Sequence, residues 1–109
     1  MNCAVKLIIG ENQPSVGPGL ISLLEQIEDS SSVMEAAGRM EVSYSKAWKI
    51  IRQAEANLGK KLVLRKSGGP GGGRAQVTQD GLELIKAFRK TEKQIADFAE
   101  KKVLQNFKK

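Results

Sequence analysis

A chain of 109 residues, 40% of them hydrophobic and 28% charged, has the size and balance of one globular domain. It has no histidine, and Cys3 is its only cysteine; this removes the Ser–His and Cys–His nucleophile pairs, an internal disulfide and the ligands of a zinc site, so no enzyme, metal or cofactor is expected. The net charge of +6, with no apolar run near the ~18 residues of a membrane span, points to a cytoplasmic protein with an acidic partner.

Ala4–Ile9 is rich in β-branched residues and stops at Gly10, which predicts a strand. It is too short for a signal-peptide core and lacks a small-residue cleavage site. Glu11–Pro14 reads as a turn, and Ser15-Val16 as a short return strand. Gly17-Pro18-Gly19 then breaks the chain, with Pro18 suited to the first turn of a helix because its missing N–H is unpaired there anyway. Leu20, Leu23, Leu24 and Ile27 follow the spacing of an amphipathic helix that ends at Asp29–Ser32. Ser32 followed by Glu35 fits a capping box for a short second helix, Val33 to Met40, whose buried face is Val33, Ala36, Ala37 and Met40.

Ser43 is placed to cap a third helix from about Tyr44 to Leu58. Its inner stripe is Ala47, Ile50, Ile51, Ala54 and Leu58. Its outer arc carries Ser45, Lys46, Lys49, Arg52 and Gln53, and Gly59 stops it. Leu62–Lys66 and Ala75–Thr78 are predicted strands of a hairpin, joined by the Gly-rich run Ser67–Gly73. Thr78 caps a last helix over about residues 79–107. At 1.5 Å per residue it is roughly 40 Å long, more than one small core requires.

This order is a helix-turn-helix followed by a wing. The predicted fold is mainly α with a small β wing, a winged helix-turn-helix with a long C-terminal helix, in a single domain over residues 1–109. Periodicity fits a plain αα-hairpin equally well. Charge adds a distinction: between Ser43 and Val77, Lys46, Lys49, Arg52, Lys60, Lys61, Arg65, Lys66 and Arg74 stand against Glu55 as the one acid. Excess positive charge on a helix and hairpin is the footprint of a nucleic-acid partner. The candidate DNA-facing residues are Ser43, Tyr44, Ser45, Lys46, Lys49, Arg52 and Gln53 at the major groove or its flanking phosphates, with Arg65, Lys66 and Arg74 of the wing gripping the backbone or minor groove beside it. Trp48, beside Ala47, reads as a packing residue. The Gly-rich run does not make a phosphate loop: Arg74 stands where the lysine belongs, Ala75 where the hydroxyl belongs, and a strand follows instead of a helix.

Along the last helix, Ile95, Phe98, Val103 and Phe107 have no obvious partner within the chain, so a second subunit is expected to cover them.

Ser32–Ser43, then Ala47-Trp-Lys-Ile-Ile51, then Leu58-Gly59, resembles the LysR-type helix-turn-helix pattern, and Val77-Thr-Gln-Asp-Gly81 resembles the Leu-Thr-x-x-Gly step that opens the helix after the wing. Closer still is the DNA-binding domain of the ModE-type, molybdate-responsive regulators. Ser43-Tyr44 with Ala47-Trp48 is similar to its recognition helix, Gly68–Ala75 to its Gly-rich wing, and Leu20–Ile27 after Gly17-Pro18 to its first helix. The likeness covers about residues 4–90. It implies sequence-specific binding to duplex DNA, transcriptional regulation and a homodimer. Full-length members carry C-terminal molybdate-binding domains; this sequence ends with the long helix, so no molybdate site is expected within it. The alternative reading is a protein–protein interaction module on the same fold with weak or no DNA binding, against which the basic segment argues.

Overall fold

The computed structural model describes residues 3–10, 16–66 and 74–108. The element order is α1 (Pro18–Ser30), α2 (Val33–Arg39), α3 (Tyr44–Leu58), β1 (Val63–Arg65), β2 (Ala75–Val77) and α4 (Gln79–Phe107). The predicted fold class, mainly helical with a small two-stranded wing, is what forms.

The N-terminal strand expected over Ala4–Ile9 does not form. A strand needs a ladder to satisfy its backbone, and among the described residues only Ile9 finds a partner. It pairs with Val16 through an isolated antiparallel bridge, with N–H···O distances of 2.7 and 3.2 Å. Burial still alternates along the segment: Val5 and Leu7 are half-buried, Ala4, Lys6 and Ile8 exposed. The predicted turn Glu11–Pro14 and Ser15 lie outside the described residues.

α1 opens on Pro18, with Gly17 at its N-cap and no side-chain cap. It buries Leu20, Ile21, Leu23, Leu24 and Ile27. Ser31 ends it in the left-handed region at φ 58°, its N–H donating to the Ile27 carbonyl at 2.7 Å. α2 starts as expected, with the Ser32 hydroxyl accepting the Glu35 N–H at 3.0 Å. The second half of the capping box is missing. The Glu35 carboxylate turns to Arg39 at 3.2 Å, and the Ser32 N–H donates to the Ser30 hydroxyl at 3.3 Å. A guanidinium outcompetes a neutral N–H for that carboxylate.

The turn between α2 and α3 passes through Glu41 at φ 58°. Ser43 caps α3 by accepting the Lys46 N–H at 3.1 Å, and Gly59 closes it at φ 68°. Ala47, Trp48, Ile51 and Ala54 are buried and Ile50 half-buried. Leu58 departs from the predicted inner stripe: it is 39% exposed, because the last turn of α3 runs past the core.

β1 and β2 pair antiparallel in the register Val63 with Val77, Leu64 with Gln76 and Arg65 with Ala75. This ladder is shorter than the predicted strands. The hairpin is fastened to the α1–α2 junction by a bridge between Ser32 and Arg74, where the Ala75 N–H donates to the Ser31 carbonyl at 3.0 Å. Sequence periodicity carries no trace of this third edge.

Thr78 joins hairpin to α4. Its hydroxyl accepts the Gly81 N–H at 3.0 Å and donates to the Lys61 carbonyl at 2.6 Å. α4 packs on the core through Phe88, with Leu82, Leu84 and Ile85 half-buried, and is tied to α1 by Arg89, which donates to both Glu25 oxygens at 2.7 and 3.2 Å. Its distal turns project from the body, giving extents of 63 × 26 × 23 Å.

Candidate nucleic-acid interface

The turn and the caps fix how α3 is presented. α2 offers Ala36 and Ala37, and α3 offers Ala47. Small side chains let the two helices approach closely, so α3 is held by its inner face and its outer arc is free. Ser45, Lys46, Lys49, Arg52 and Gln53 all stand exposed there, as expected. Ser43 is exposed with its hydroxyl engaged as the cap. Tyr44 is half-buried, packed against the core cluster.

The hairpin contributes Arg65, Lys66 and Arg74, all exposed. Lys66 and Arg74 are neighbours across the strands, the Lys66 N–H donating to the Arg74 carbonyl at 2.9 Å. The Gly-rich tip, Ser67–Gly73, lies outside the described residues.

The two groups meet at Trp48. Its ring carries the Arg65 guanidinium at 4.4 Å from the centroid and the Arg52 guanidinium at 5.1 Å. The ring beneath them is 7% exposed. Trp48 is thus the packing residue that periodicity predicted, with a second role that periodicity missed. Arg52 lies one turn on from Trp48, a spacing that does signal contact on a helix. Arg65 comes from another element, and nothing local in the sequence announces it.

Acids hold some of the cations and leave others without a salt bridge. Arg39 is held by Asp29 at 2.7 Å and Glu35 at 3.2 Å, and its guanidinium is pushed further toward the charged form, first by the hydrogen bond to Asp29. Arg89 is raised likewise, first by Glu25 and then by Glu92. Lys60 and Lys61 face Asp80 at 4.0 Å and Glu55 at 3.8 Å. Among the described residues, Lys46, Lys49, Arg52, Arg65, Lys66 and Arg74 make no salt bridge. Lys6 of the N-terminal segment and Lys86, Lys90, Lys101, Lys102 and Lys108 of α4 and its end are likewise without a salt bridge among the described residues. The six on α3 and the hairpin form a surface suited to phosphates.

On α4, the expected subunit-contact residues lie on the distal, projecting turns. Ile95 and Val103 are exposed, Phe98 is 63% and Phe107 85% exposed, and Leu104 is exposed beside them. Among the described residues, no group of three or more His, Cys, Asp or Glu is placed to hold a metal ion, and no helix is long and apolar enough to cross a membrane.

Comparison with known proteins bears on the same segment. The family of bacterial regulatory helix-turn-helix proteins of the lysR family matches residues 19–82, from α1 through the first turn of α4. Over 71 residues the chain is 37% identical to the transcriptional regulator ModE of Yersinia pestis and 38% identical to the DNA-binding transcriptional dual regulator ModE of Escherichia coli K12. Each match covers 65% of this chain and 27% of the relative, so the likeness spans about a quarter of those proteins. Among solved structures, the DNA-binding domain of CbnR in complex with DNA aligns over 81% of this chain and 95% of its own, with a TM-score of 0.60 at 17% identity, a likeness of fold. Full-length LysG of Corynebacterium glutamicum with bound arginine effector aligns over 85% of this chain and 29% of its own, with a TM-score of 0.57 at 25% identity.

Proposed function

Because the chain belongs to the lysR family of bacterial regulatory helix-turn-helix proteins, we propose that it is a transcriptional regulator that binds duplex DNA sequence-specifically, as a homodimer, in the cytoplasm. α3 enters the major groove, where Lys46, Lys49 and Gln53 meet base edges while Ser43, Tyr44, Ser45 and Arg52 meet bases or flanking phosphates. Arg65, Lys66 and Arg74 lie along the adjoining backbone. The carrying observation is the set of six cations on α3 and the hairpin that stand exposed without a salt bridge among the described residues, while Arg39 and Arg89 are neutralised by acids. A regulator of this kind needs no catalytic group, and none is assigned.

Contacts to phosphate release counterions, so log K is expected to fall with log salt by about 0.9 per phosphate neutralised. Titration of a labelled duplex across several salt concentrations measures this slope. A flat response, or no binding at low salt, overturns the reading.

A further inference from the structure

We propose that Trp48 is a positioning residue of this interface, holding Arg52 of α3 and Arg65 of β1 on one ring so that helix and wing present their charge as a unit. The inference rests on the DNA-binding reading above and names a residue within it that touches no DNA.

Three observations carry it. The guanidiniums of two separate elements lie 5.1 and 4.4 Å from the same ring centroid. Both arginines are exposed, while the ring they cover is almost wholly buried. The indole Nε1 is buried with no hydrogen-bond partner among the described residues. A Leu or Phe fills a core without an unmatched N–H, which is costly to bury. What Trp offers in exchange is the aromatic face with the strongest attraction for a cation.

The physical consequence follows from flexibility. An unsupported arginine samples many rotamers and loses that freedom when it grips a phosphate. A guanidinium already stacked has lost part of it. Stacking also offsets the repulsion between two like charges that share no carboxylate among the described residues. A phosphate backbone completes the neutralisation. Arg65 is thereby fixed relative to α3 even though its strand belongs to the hairpin.

The test separates stacking from charge, using the full chain and one labelled duplex at fixed low salt. Arg65→Lys keeps the charge and loses the planar stack. It is expected to weaken binding by about two- to five-fold. Trp48→Leu removes the platform for both arginines and is expected to cost about five- to thirty-fold. Trp48→Phe fills the core without the orphaned N–H but offers a weaker face to the cations. It is expected to cost about two- to five-fold, and binding as tight as the parent's overturns the proposal. In the Trp48→Leu background, Arg65→Lys is expected to have no further effect. If Trp48→Leu does not fold, Arg65→Lys and Trp48→Phe decide the matter between them. Trp48 is the only tryptophan, so its emission reports the stack directly in the free protein. Emission unchanged by Arg65→Ala, or Arg65→Lys binding as tightly as the parent, overturns the proposal while leaving DNA binding intact. Absence of duplex binding by the parent chain at low salt overturns both.

Discussion

A side-chain carbon at Gly81 would stand 2.7 Å from the backbone carbonyl oxygen of Leu62 and 2.6 Å from Cγ1 of Val77. The first turn of α4 is therefore pressed against the start of the hairpin, and the Thr78 hydroxyl locks the approach by binding both sides of it. The oxygen in the way is backbone and cannot swing aside.

Gly81→Ala is accordingly expected to destabilise the fold by about 1–3 kcal/mol, the usual cost of overpacking, in spite of alanine's better helix propensity. Gly38, in α2, has nothing within 4 Å of the same added carbon, so Gly38→Ala is expected to stabilise by up to about 1 kcal/mol. Urea unfolding of the two variants reads the difference. Equal effects would show that helix propensity, and not the contact with Leu62, decides both.

Glu41 offers a second check on backbone geometry. It occupies the left-handed region at φ 58° in the turn between α2 and α3, where a side chain carries a steric cost of roughly 1–2 kcal/mol. Glycine relieves that cost but loses more entropy on folding. The balance favours Glu41→Gly by about 0.5–1 kcal/mol, a rise in Tm of a few degrees for a domain of this size. A lower melting temperature would mean that the Glu41 side chain contributes something the turn geometry does not show.

The helices were legible because their signals are local. α3 has the predicted bounds, Tyr44–Leu58, since a serine cap, a 3.6-residue apolar stripe and a terminal glycine act within one segment. The failures share the opposite character. Ala4–Ile9 has strand composition, but a strand exists only if a partner lies alongside, and among the described residues just Ile9 has one. Glu35 has the right spacing for a capping box, but Arg39 claims its carboxylate. The attachment of Arg74 to Ser32 and the stack of Arg65 on Trp48 join residues 42 and 17 positions apart, which no periodicity encodes. Of the candidate interface, which residues stand exposed was readable apart from Tyr44, which is half-buried against the core; how the helix and the hairpin are coupled was not.

Within the interface, base-facing and backbone-facing residues are expected to fail differently. Lys49 lies on the outer arc of α3, and Arg74 lies across from Lys66 at the tip end of the hairpin ladder. Lys49→Ala is expected to lower the preference for an operator over random duplex, by about 1–3 kcal/mol if it contacts a base. Arg74→Ala is expected to weaken both complexes equally and to reduce the salt slope by about one. Competition titrations with operator and random duplexes distinguish the two patterns, and loss of specific binding alone in Arg74→Ala would reverse the roles.

The distal half of α4 sets the last expectation. Ile95, Phe98, Val103, Leu104 and Phe107 are exposed on turns that project beyond the core, on a helix of 29 residues. Burying a large apolar side chain gives roughly 1.5–3 kcal/mol, so several together suffice to hold a second copy of the chain against the entropy of association. Lys102 lies over the Phe98 ring at 5.8 Å, and its stem can stay at the rim of such an interface with its ammonium in water. Phe98→Glu is therefore expected to shift the chain from dimer to monomer in light scattering at micromolar concentration, with helix content by circular dichroism little changed. A two-fold dimer presents two copies of α3, so its half-sites are expected about one turn of DNA apart, ~34 Å or a multiple of it. Phe98→Glu then weakens binding to a two-half-site duplex far more than to a single half-site. A monomeric parent chain would refute the dimer, and a variant as dimeric as the parent would move the interface off this stripe.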